Sequence, residues 1–283
     1  MKKIVLTCLL LFVLTAEAKH RRLNLQKAME LKLVKAGASS LGAYQGNCIS
    51  MSLKNLTADS LLVVVEAGRR LNSKEDRYQD IIITREEFIT LRKAEEKKFN
   101  VKGYCCQASN AAPCLNAKYD VNTMADSGLV ALARFLNANS FDTQAEQHAI
   151  WAVSDKRPTA AISNKYDSLV LPLKRQVAAI KGEKLPWYNL MVVTYVYSTG
   201  HLDSHASLLN GNLDFSNNEE GYGTLKVYDE KGRQVCITES KWLKAGTGQK
   251  YALSLPVKTL NPGKYRIELT LDKILLATQA FEI

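Results

Sequence analysis

Histidine is scarce here, with four in 283 residues. His20 stands near the N-terminus and His148 in a helical segment, so neither has an imidazole partner nearby. Only His201-Leu202-Asp203-Ser204-His205 brings two together. It follows Ser198-Thr199-Gly200 after a strand and reads as a solvated loop, without the third ligand a metal needs. The chain also lacks a G-x-S-x-G elbow, a phosphate loop and a dinucleotide fingerprint. Cys105 and Cys106 are adjacent, which is not the C-x₂-C spacing of zinc sites. No enzyme, metal or cofactor is therefore expected. Basic residues interleaved with aromatics are missing too, which excludes nucleic acid as a partner. There is no long repeat and no low-complexity tract.

Long apolar runs are likewise absent, apart from Ile4 to Thr15. That run follows Met1-Lys2-Lys3 and precedes Ala16-Glu17-Ala18, the layout of a secretory signal peptide cleaved after Ala18. It is too short to span a bilayer, so no transmembrane segment is expected in the mature chain. The expected location is the periplasm or the cell surface. About 265 residues remain after cleavage, room for two domains. The net charge of +10 falls to +9 when Lys2, Lys3 and Glu17 leave. The cations are scattered among acids and read as a solvated basic surface.

An exported chain is free to oxidise its cysteines. Cys48, Cys105, Cys106 and Cys114 are the disulfide candidates: Cys48 with Cys105 or Cys106, and the remaining neighbour with Cys114. Cys236 reads as a small buried apolar residue.

From Met29 to Gln107 the pattern is of short strands, at Glu30 to Ala36, Cys48 to Leu53, Leu61 to Val65, Asp80 to Thr84 and Phe99 to Val101. Their spacing predicts an immunoglobulin-like sandwich. The charged, turn-rich Gly68 to Asp80 reads as an exposed loop. Its Arg69, Arg70, Lys74 and Arg77 are the candidate binding residues, because rigid sandwiches present variable chemistry on loops.

The period then changes. Leu129, Val130, Leu132, Ala133 and Leu136 mark a helix over Asp126 to Asn137. Thr143-Gln144-Ala145-Glu146 matches a capping box opening a second helix to about Val153. A third is expected from Asp167 to Lys181, with Pro172 near its start and Gly182 closing it. Gly182 to Pro186 is a hinge-like boundary. Beyond it Tyr251, Leu253, Leu255 and Val257 alternate strictly, as do Tyr265, Ile267, Leu269 and Leu271. These predict a second β-sandwich with a well-fixed register. The expected class is α+β: signal peptide 1–18, sandwich plus helical segment 19–182, and a C-terminal immunoglobulin-like sandwich 183–283.

Two resemblances add to this. Leu225 to Gly232, Leu260 to Tyr265 and the strand Thr278 to Ile283 resemble the C-terminal modules of secreted Gram-negative proteins. Some of those are sorting domains of the type IX secretion system, which implies export cargo. Tyr104-Cys105 with Gln147-His148-Ala149-Ile150-Trp151 resembles the thioester domains of bacterial surface adhesins. That resemblance implies Cys105 as the thiol and Gln147 as the acyl donor of a bond awaiting an amine. The main expectation is a non-enzymatic binding or structural protein of the bacterial envelope. Its expected partner is envelope polysaccharide or another surface protein. Covalent attachment through Cys105 and Gln147 is the rival.

Overall fold

The computed structural model describes residues 21–164, 167–238 and 240–283. The expected signal peptide, 1–18, lies outside the described residues.

The first half contains β1 (Arg21–Asn24), α1 (Leu25–Glu30), β2 (Val34–Leu41), β3 (Gln45–Asn55), β4 (Leu61–Val65) and β5 (Arg69–Ser73). It continues with β6 (Ile81–Ile83), β7 (Glu87–Leu91), β8 (Glu96–Cys105) and β9 (Leu115–Met124). The sandwich expected here is corrected to a closed barrel, in the order β2-β3-β8-β6-β5-β9, with a small side sheet β1-β4-β7. Part of the segment expected as a loop, Arg69–Ser73, closes it. β5 pairs β6 on one side and β9 on the other, and β9 returns to β2. β6 and β8 come close enough that a Cβ on Gly103 would lie 2.5 Å from Ile81 Cγ2. Ile81 and Ile83 face the barrel core, whereas Ile82 faces the helices. A strand buried on both faces reads as a continuous apolar run.

The helices are α2 (Ser127–Ala138), α3 (Thr143–Ser154) and α4 (Asp167–Lys181), with a 3-10 turn at Thr159–Ala161. All three expected helices are present, and Gly182 follows α4 as anticipated. They share one apolar cluster with Ile82, Tyr104 and Cys106 on the barrel's outer face. The start of α3 differs in detail from the capping box. Asp142, not Thr143, caps it, accepting from the amides of Gln144 and Ala145. Glu146 turns instead toward the barrel.

The last hundred residues hold β10 (Tyr188–Val196), β11 (Leu202–Asn217), β12 (Gly221–Asp229), β13 (Gln234–Ile237) and β14 (Lys241–Leu243). β15 (Gly246–Pro256), β16 (Lys264–Leu271) and β17 (Ile274–Glu282) complete it. One sheet runs β10-β11-β15 and the other β13-β12-β16-β17, with β14 beside β12. Tyr251, Leu253, Leu255, Tyr265, Ile267 and Leu269 meet in one core between them, as the alternation required. Cys236 is half-buried at its edge rather than fully buried. Among the described residues no helix is long and apolar enough to cross a membrane.

Candidate functional site

The seam between α3 and β8 gathers the chemistry. Adjacent residues of a strand point to opposite faces. Cys105 accordingly packs with the barrel core, while Tyr104 and Cys106 face the helices. Near this point β3 loses its regular register against β8, with a shift between Gly46 and Ile49. Gln147 of α3 occupies the seam. Its Nε2 donates to Cys105 O at 2.8 Å, and Cys105 N donates to its Oε1 at 3.1 Å. Cys105 N also donates to Tyr44 O at 3.1 Å. Both residues are essentially inaccessible, Cys105 at 0% and Gln147 at 1% exposure.

An ion cluster holds α3 in this position. Glu146, fully buried, accepts from Tyr104 Oη at 2.5 Å and from the amide of Phe141. Lys102 Nζ lies 2.9 Å from its Oε2 and Arg85 Nη2 3.2 Å from its Oε1. Two cations and two hydrogen bonds compensate the desolvation of one carboxylate. Burial, and then the hydrogen bond to Glu146, raises the pKa of the Tyr104 phenol, so it stays a donor.

Beyond Gln147 lies an aromatic group. The Tyr44 and Trp151 rings are stacked nearly parallel, with centroids 6.3 Å apart, and His148 meets Trp151 edge-on at 5.6 Å. Arg157 sits 5.1 Å from the Trp151 ring centroid, a cation–π distance. The β10–β11 hairpin docks against this group: Leu202 packs on Trp151, and Ala112 N donates to Gly200 O at 2.7 Å. Gly200 has φ 81°, and a Cβ there would lie 3.0 Å from Ala112 O. A side chain at that position would push the hairpin away.

The thiols here are quiet. Burial raises Cys48 and Cys106 to about 12. It raises Cys105 well above the ordinary range, with Cys48 and Cys106 adding to the effect. The expected disulfides are corrected: Cys48, Cys105, Cys106 and Cys114 are all free. Cys48 Sγ instead donates to Gly103 O at 3.4 Å, and Cys114 is exposed.

The proposed binding loop is corrected as well. Arg69 is fully buried in β5, bonded to Glu66, Val121 O and Gln26. Arg70 pairs with Asp80 at 2.7 Å. Only Lys74 and Arg77 of the four are largely exposed, and each has an acidic partner, Asp120 and Glu75. His201 lies in the connection before β11 as expected, whereas His205 is within that strand; they stack on Tyr197 and Tyr195. Among the described residues no group of three metal-ligating side chains forms.

Sequence reasoning named Cys105, Gln147 and Trp151 and missed Tyr44, Glu146's cluster and Arg157. Glu146 carried a signal that pointed elsewhere, the capping box. Tyr44 and Arg157 carry no pattern at all. No protein-family model matches this chain, and no curated protein matches it.

Proposed function

We propose that this chain is an exported, non-enzymatic binding protein that attaches covalently to amines through a thioester between Cys105 and Gln147. The observation that carries this reading is the contact itself: two residues 42 apart in sequence, paired across the α3–β8 seam. In the reaction Cys105 Sγ bonds to Gln147 Cδ, the Cδ–Nε2 bond breaks, and the thiol proton leaves with the nitrogen as ammonia. An arriving amine then takes the acyl group and returns the thiol. The Cys105 N–H on Oε1 supports both steps, because it lies where negative charge develops on the acyl oxygen. Burial shields the acyl group from water in the interval. The C-terminal pair of sheets, read as an immunoglobulin-like module, would serve as a rigid mount.

One observation favours a second reading. The Cys105 sulfur packs in the barrel core, and the Gln147 amide is engaged by backbone. Gln147 would then be a structural clamp that supplies two ladder bonds where β3 leaves β8.

Incubation with a fluorescent primary amine, followed by denaturing electrophoresis, tests the proposal. Labelling of the wild type that disappears in Cys105→Ala and Gln147→Ala supports it. An unlabelled wild type, or labelling that survives both substitutions, refutes it.

A further inference from the structure

A second site lies beside this one, and it does not depend on the thioester, since neither Cys105 nor Gln147 lines it. Between the end of α3 and the C-terminal sheets is a cavity of about 240 Å³. Its walls carry His148, Arg157, His205 and Lys258; among the described residues no Asp or Glu side chain lines it, and the main-chain carboxylate of Ile283 is the one anionic group on the wall. Leu190 and Leu260 supply apolar surface.

His148 is 4% exposed. Burial, and then the charge of Arg157, lowers its pKa to about 4. The Arg157 guanidinium rests on Trp151, and among the described residues no carboxylate forms an ion pair with it. Asp155 and Asp203 act on it only at longer range. Asp203 is also 4.0 Å from His205 Nδ1, so it moderates the positive field at the rim without filling the cavity.

We propose that this cavity binds a small organic anion. A carboxylate would sit between Arg157 and Lys258, with an N–H of His148 as donor, and a compact apolar body would lie against Leu190 and Leu260. Guanidinium is suited to planar two-point recognition of a carboxylate. The volume is at the small end for ligand pockets, which limits the ligand to a single ring or a short chain.

Titration of the full chain with benzoate, followed by calorimetry and by the His148 ring resonances, tests this. Saturable binding that moves those resonances is expected, and neutral benzamide should not reproduce it. Lys258 is exposed, so Lys258→Glu should keep the fold and weaken binding by at least about tenfold. Arg157→Gln should weaken it likewise. Two results would overturn the proposal: no saturable binding of either benzoate or hexanoate, or binding that Lys258→Glu leaves unchanged. Cys105→Ala should bind benzoate as the wild type does, which separates this site from the thioester reading.

Discussion

The side chain of Gln147 holds Cys105 by both of its backbone groups, donating to the carbonyl at 2.8 Å and accepting from the amide at 3.1 Å. A primary amide presents a donor and an acceptor side by side, as a neighbouring strand would. A single helix residue thereby extends a β-ladder. It also brings an acyl carbon beside the backbone of a residue whose thiol packs in the barrel core.

Glu146 sets this register, so its loss should be felt in stability. Glu146→Ala leaves the Tyr104 hydroxyl and the Phe141 amide unpaired and two cations uncompensated. A cost of about 3–5 kcal/mol is expected, read from urea unfolding. An unchanged midpoint would mean that the cluster does not hold α3.

Arg69 belongs to the fold and not to a binding surface. Arg69→Ala should cost about 3 kcal/mol, because it leaves the buried Val121 carbonyl and the half-buried Glu66 and Gln26 contacts unmatched. Lys74→Ala and Arg77→Ala should leave the unfolding midpoint where it is.

His148 makes stability depend on pH. Its folded pKa is lowered to about 4 from an ordinary 6.5, by burial first and Arg157 second. The unfolded chain therefore binds a proton that the folded chain refuses. Stability from this residue is complete above pH 6.5 and is lost as pH falls toward 4, by about 3 kcal/mol in total. The difference in unfolding free energy between wild type and His148→Gln, measured from pH 7 to pH 4, should narrow by that amount. A constant difference would contradict the assignment.

Thiol labelling should follow burial. With a maleimide at neutral pH, Cys114 is expected to react first and Cys236 more slowly. Cys48 and Cys106 should react only once the chain unfolds, since their thiols titrate near 12. Peptide mapping of the label checks this. Rapid labelling of Cys48 in the native chain would contradict it.

What the sequence revealed follows from physics that acts locally. The alternation from Tyr251 to Val257 and from Tyr265 to Leu271 placed each side chain on its face, because one face is buried and the other wet. α2 was legible from its three-and-four spacing, α3 from the turn that opens it, and α4 from Pro172 near its start and Gly182 at its end. β5 was not, because one of its two buried positions is filled by Arg69 rather than an apolar residue, its charge satisfied partly by residues far away in sequence. Barrel closure was hidden for the same reason. The pairing of Cys105 with Gln147 was legible only through a resemblance of short motifs, and the cavity at His148 through nothing in the sequence.

The most direct test of the central claim is the intact mass of the chain purified without reductant. A thioester predicts a mass one ammonia below that of the sequence present. Methylamine should then raise it by the mass of one methylamine. Cys105→Ala and Gln147→Ala should each abolish both effects. A full sequence mass that methylamine does not change would contradict the account and leave Gln147 as a structural clamp.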